Sequence, residues 1–153
     1  YGLSPTQVGN FYAYGAAFYA LSSGLLIRPI VGRFKPLPIM FIALVLLGII
    51  LFPLLLHTNV SVFWIYIPIQ QFLIALVFPT GATIVSNSVD ENSQGEIMGI
   101  LQSVDSFAFA SSPLLAGVFV GLSTHTPIII AGAFMFLAGL VLLGSYGKKL
   151  FQG

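Results

Sequence analysis

The sequence predicts an all-α integral membrane protein of about five transmembrane helices. Three observations predict it. Hydrophobic residues fill 58% of the 153 positions and charged residues only 6%, whereas a soluble domain carries about a quarter charged residues. The apolar residues are gathered into five long runs, each near the roughly 20 residues a helix needs to cross a hydrocarbon core. The runs are also too long and too uniformly apolar for barrel strands, which alternate apolar and polar residues over about ten positions.

The first helix is expected from about Gln7 to Val31. Tyr12, Gly15, Ala16, Tyr19, Ser22 and Ser23 share one of its faces by helical spacing. Tyr19 falls near mid-depth, where an unpaired hydroxyl is expensive. Aromatics mixed with small polar groups suit a substrate cavity, and they equally suit ordinary helix packing with the hydroxyl satisfied by a neighbour. The second helix is expected from Leu37 to Leu56 and the third from Val62 to Ser86. Gln70 and Gln71 lie inside the third. Adjacent residues point about 100° apart, so only one faces a cavity squarely, and Gln71 is preferred; both also serve as interhelical hydrogen-bond partners in the plainer reading. Trp64 and Tyr66 are placed to anchor the helix at the membrane interface, and Pro79 with Gly81 is expected to break it further along.

The fourth helix, from Gly95 to Gly121, carries the most informative residue. Asp105 lies about ten positions in, roughly 15 Å deep at 1.5 Å per residue. A carboxylate at that depth is costly and usually faces a bundle interior or a water-filled cavity. Gln102 and Ser106 neighbour it by spacing. Burial raises an acid's affinity for protons, so Asp105 can serve as a proton carrier; the plainer reading is a protonated acid tying helices together. Gly95, Gly99, Ser103, Ser106 and Ala110 form a small-residue stripe suited to close packing. Pro113, followed by Gly117, is expected to kink this helix. The fifth helix is expected from Thr126 to Tyr146.

Short polar links, Arg33–Pro36, His57–Ser61, Asn87–Gln94 and Leu122–His125, make the helices antiparallel neighbours. All five basic residues, Arg28, Arg33, Lys35, Lys148 and Lys149, then fall at one end. That asymmetry makes this end cytoplasmic by the positive-inside rule.

Several functions are excluded or disfavoured. Cysteine is absent, which removes disulfides, thiol catalysis and cysteine metal sites. A net charge of +1, with no basic patch among aromatics, argues against nucleic acid. His57 and His125, in unrelated links, are a weak metal signal against solvated histidines. Asn59-Val60-Ser61 matches a glycosylation acceptor but sits hard against the membrane. No nucleophile triad, phosphate-binding glycine loop or zinc motif is present, so neither an enzyme nor a cofactor is expected. There is no signal peptide pattern, and a chain opening at Tyr1 rather than Met is expected to be a piece of a longer one.

Two stretches resemble the major facilitator superfamily. Val89-Asp90-Glu91, Gln94-Gly95, Gly99 and Pro113 are similar to the cytoplasmic link and eleventh helix of tetracycline and multidrug proton antiporters. Arg28-Pro29-Ile30-Val31-Gly32-Arg33-Phe34-Lys35 resembles the signature loop Gly-x-Leu-x-Asp-Arg-Phe-Gly between the eighth and ninth helices. Ile30, Arg33 and Phe34 fit; Gly32 stands where the acid would be, Arg28 replaces the first Gly and Lys35 the last. Ser4-Pro5-Thr6-Gln7-Val8-Gly9 is similar to the segment entering the eighth helix. The resemblance implies that residues 1–153 are a C-terminal transmembrane bundle, helices eight to twelve, whose N-terminal half is absent from this chain.

It further implies a secondary transporter in the inner or plasma membrane, working by alternating access and driven by an ion gradient. Export of lipophilic small molecules in exchange for protons is the expected activity, with proton-coupled metabolite uptake and a non-transporting truncated module as alternatives. Asp105 would couple protons or meet a cation. Tyr12, Tyr19, Gln71, Gln102 and Ser106 would line the cavity, while Pro29, Arg33 and Phe34 would form the gate. Gly95, Gly99, Pro113 and Gly117 would pack helices. The drug antiporters carry no acid where Asp105 stands, so its role rests on its depth alone.

Overall fold

The computed structural model describes residues 2–56 and 59–151, with side chains through Gly147. His57, the side chains of Lys148 and Lys149, and Tyr1 lie outside the described residues. Five helices are long and apolar enough to cross a membrane, Pro5–Arg33, Pro36–Leu56, Val60–Ser86, Glu91–Val120 and Thr126–Gly147. No strand occurs among the described residues.

The first span opens with α1 (Pro5–Leu21). Ser4 caps it reciprocally. Its Oγ accepts from the Gln7 amide at 3.3 Å, and its own amide donates to Gln7 Oε1 at 2.9 Å, which satisfies two of the orphan donors of a helix start. A single π turn, Ser22–Leu26, then interrupts the span before α2 (Ile27–Arg33). The Ile27 amide reaches back five residues to the Ser22 carbonyl. In a regular α-helix, residues five apart diverge by about 140°. The wider turn turns both Ser22 and Ile27 inward, at 3% and 4% exposure.

The second span is α3 (Pro36–Leu51) followed by the short α4 (Pro53–Leu56). Pro53 has no N–H to give the Ile49 carbonyl. The Phe52 amide takes that carbonyl instead, at 3.1 Å. The third span begins with a 3₁₀ turn, Val60–Val62, capped by Asn59 Oδ1 on the Ser61 amide at 2.9 Å. It continues as α5 (Phe63–Ser86).

The break expected at Pro79 and Gly81 does not occur, because α5 runs unbroken past both Pro68 and Pro79. Hydroxyls nearby bond back to carbonyls of the same helix. Thr80, fully buried, donates to the Leu76 carbonyl at 2.6 Å, and Thr83 donates to the Pro79 carbonyl at 2.8 Å. At Pro68 the repair comes from another helix. The missing amide of Pro68 frees the Trp64 carbonyl, and the Tyr14 hydroxyl of α1 donates to it at 3.1 Å. Rings reinforce that joint, with Phe11 and Tyr14 each 4.8 Å from Trp64 between centroids. Trp64 remains partly exposed as an interface anchor would be, but Tyr66 does not act as one. It is buried to 7% exposure, because it lies on the face of α5 turned into the bundle.

The fourth span is a 3₁₀ turn, Glu91–Ser93, leading into α6 (Gln94–Val120), which is continuous through Pro113. The fifth is α7 (Thr126–Phe151).

Packing is uneven. α5 is the hub, lying against α1 on one side and α3 on another, and α3 packs in turn on α7. The core is the set Ile27, Ile39, Ala43, Leu47, Leu73, Ala75 and Leu76. Gly48 sets the α3–α7 distance, since a Cβ there would lie 3.0 Å from the Phe136 ring. By contrast α6 touches α5 and α7 only lightly and has no buried residue.

The Tyr14 bond yields a test by double-mutant cycle. Tyr14→Phe leaves the Trp64 carbonyl without its donor and should cost about 1 kcal/mol of unfolding free energy in detergent. In a Pro68→Ala background the backbone amide returns, and the same substitution should cost less than half as much. Equal costs in the two backgrounds would mean the hydroxyl is not repairing the proline.

Candidate functional site

The sequence-derived site residues fall into two groups on either side of α5. The first lies between α1 and α5. Gly15 is buried, and a Cβ there would come within 3.0 Å of Gln71 Nε2 and 3.3 Å of Ile67. The absence of a side chain at Gly15 is therefore what admits the Gln71 amide to this interface. Tyr19, half-buried, packs against the core one turn further along α1. Two turns on, Ser23 Oγ is buried with no hydrogen-bond partner among the described residues, and Tyr66 Oη is likewise unpartnered. Tyr12 lies apart, at 78% exposure.

The second group lies on α6. Gln94, Ile97, Met98, Leu101 and Asp105 are half-buried, as are Ser111, Ala116 and Phe119. The three- and four-residue spacing of the first five defines the stripe of α6 that turns toward the bundle. Asp105 is on that stripe, about 16 Å from the helix start by its rise. One turn later, Phe109 stacks on Phe78 of α5, with centroids 6.0 Å apart and rings inclined by 18°. Asp105 therefore faces the α5 side. Its carboxylate makes no hydrogen bond or ion pair among the described residues. Gln102 and Ser106, grouped with it by sequence spacing, are rotated outward and exposed. The Ser106 hydroxyl is spent on the Gln102 carbonyl at 2.8 Å.

The glycines of the α6 stripe hold no close approach here. A Cβ at Gly95, Gly99 or Gly117 meets nothing within 4 Å. The close approaches are at Gly15 and Gly48 instead. The signature segment is mostly helical. Pro29 and Arg33 sit within α2, both exposed, and only Phe34 and Lys35 form the link to α3. Phe34 is 63% exposed. No cluster of three or more histidine, aspartate or glutamate side chains occurs among the described residues.

Sequence reasoning missed Tyr14, whose role was readable only through Pro68 and the carbonyl it frees. It also missed the π turn. Pro29 was the available signal, since it cannot donate to the Leu25 carbonyl at the end of that turn.

The chain matches the family model of the Major Facilitator Superfamily over residues 1–149. It belongs to that superfamily. Comparison with curated proteins and with solved structures found no match. Membership in the Major Facilitator Superfamily makes this an integral membrane protein of the secondary-transporter class. In such transporters the substrate and coupling-ion sites lie near the bilayer midplane, and Asp105 lies midway along the span Glu91–Val120.

An acid held at mid-span without a partner costs stability. Asp105→Leu should raise the unfolding free energy in lipid or detergent by about 1–3 kcal/mol, read from the thermal midpoint. A lowered midpoint would show that the carboxyl ties helices together.

Proposed function

We propose that this chain is the C-terminal bundle, helices eight to twelve, of a proton-coupled transporter of the Major Facilitator Superfamily that exports lipophilic small molecules. The observation that carries the reading is Asp105, half-buried at mid-span on the bundle-facing stripe of α6 with no partner among the described residues. A carboxyl is a group that can take up and give back a proton. Alternating access opens the midplane to each side in turn, so one acid takes a proton from one side and releases it on the other.

The exposed faces complete the reading. Gln102 and Ser106 are polar at a depth where lipid accepts no polar surface cheaply. Their place on the outside of α6 fits a face covered by a second bundle or opened to a water-filled cavity between the two. That second bundle is the N-terminal half of the same transporter in this proposal. Gly95, Gly99 and Gly117 would then pack against it, where a side chain would hold the halves apart. Gln71 and Tyr19, beside Gly15, would supply hydrogen bonds to substrate from the other side of α5, with Tyr12 at the rim. Arg33, at the end of α2, would act at the gate with Pro29 and Phe34. The end bearing the basic residues would be cytoplasmic, in the cell's inner or plasma membrane.

Everted vesicles containing the transporter test this. Addition of a lipophilic cationic dye to acid-loaded vesicles should release protons in exchange for dye uptake. Asp105→Asn, which is isosteric but carries no exchangeable acid, should abolish proton release while leaving the inserted amount unchanged. Proton release at the normal rate by that variant overturns the carrier role. Dye-driven acidification, rather than release, would mean symport.

A further inference from the structure

The first span holds a feature that the proton site does not use. Its π turn, Ser22–Leu26, contains one residue more than an α-helical turn holds. The Ile27 amide now reaches the Ser22 carbonyl. Rewinding the turn as α-helix would hand that amide to the Ser23 carbonyl, four residues back. α2 would then turn by one residue, about 100°, and advance about 1.5 Å toward the basic end.

The apolar stripe of α2 is written twice in the sequence. Ile27 lies in the core, and Ile30 and Val31 pack against it. One residue earlier, Leu26, Pro29 and Ile30 repeat the same spacing, and Leu26 now stands 51% exposed. A turn by one residue exchanges one apolar set for the other. Two local defects pull in opposite directions. Ser23 Oγ is buried with no partner among the described residues. Thr80, Thr83, Ser88, Ser103, Ser106 and Ser111 each donate to the carbonyl four residues back. In a regular α-helix Ser23 has the Tyr19 carbonyl in that place, so its hydroxyl favours rewinding. Pro29 opposes it, because its missing amide is the α-type donor to the Leu25 carbonyl. Gly24 stands between the two. A Cβ there would meet nothing within 4 Å, so packing does not demand glycine, and its backbone freedom serves a turn that rewinds.

We infer that the first span is a register switch, in which the π turn rewinds to α-helix and turns α2 by one residue against the bundle. Leu26, Pro29 and Arg33 share a face by spacing, so the rewound register carries Arg33 round to the bundle side. The use of this switch in transport rests on the reading of Pro29, Arg33 and Phe34 as a gate; the switch itself is a property of the span.

Spin labels test it, since the chain has no cysteine of its own. Gly32→Cys on α2 and Gly144→Cys on α7 place labels where a Cβ meets nothing within 4 Å, and α7 packs on α3 rather than on α1. Double electron–electron resonance on the full chain in lipid nanodiscs should give two distance populations. Pro29→Ala should enlarge the population of the rewound register, and Ser23→Ala should shrink it. Deletion of Gly24 removes the extra residue and leaves α2 facing as it does now, so one population should remain. A single population that none of these changes moves overturns the switch. Should the deletion fail to fold, the opposed shifts of the two substitutions still decide. In vesicles containing the transporter, the deletion should abolish dye-driven proton release. Normal release by that variant would overturn the gate role of α2, while two populations in the parent chain uphold the switch.

Discussion

Backbone satisfaction is the constraint on which this bundle depends. Hydrocarbon offers no water to an unpaired N–H or C=O, so each interruption of a helix must be repaired within the protein. The chain contains several. Pro53 is answered by a tightened turn at Phe52. Pro68 is answered across helices, by Tyr14. This last repair has a consequence the local one lacks. A carbonyl freed on α5 is satisfied only while α1 stays docked, so the proline converts a helix defect into a helix–helix joint. The rings of Phe11 and Tyr14 then pack against Trp64 at the joint.

Contact between the other helices follows from side-chain volume. Lipid tails are as apolar as leucine, so helices gain little from hiding apolar surface and associate where backbones approach closely. Gly48 gives α3 and α7 that closeness, and Gly15 gives it to α1 and α5. Both glycines lie where a methyl group would crowd a neighbour at 3.0 Å. α6 has glycines too, yet none of them meets a partner among the described residues, and its contacts are sparse. The same small-residue chemistry thus yields a tight layer of four spans and one loosely held span, and the loose span is the one that carries the acid.

The five spans were legible because composition and run length decide them together, and no packing detail is needed. The depth of Asp105 was legible for the same reason, since a helix has a fixed rise. What escaped were features that depend on a second helix. A break at Pro79 seemed required by the local rule, but α5 runs on through it. Tyr66 read as an interface anchor from its place near the helix end, but rotation about the helix axis decides burial, and α5 turns it inward. The grouping of Gln102 and Ser106 with Asp105 failed in the same way. Spacing shows which residues are neighbours, whereas the packing of α6 fixes which of them faces the bundle.

That rotation changes what Asp105 can do. Had it shared the outward face with Gln102 and Ser106, a polar surface would have been available to it whenever a partner bundle or water arrived. On the inward stripe it lies one turn before Phe109, whose ring stacks on Phe78 of α5. Its partly buried carboxyl is covered or uncovered further as α6 shifts against α5. The sparse contacts of α6 make such a displacement cheaper than one at the α3–α7 or α1–α5 interfaces, where glycines lock the helices together. The surroundings of Asp105 are thereby tied to the position of one weakly held helix, and a two-state element of that kind is what the proposed coupling requires.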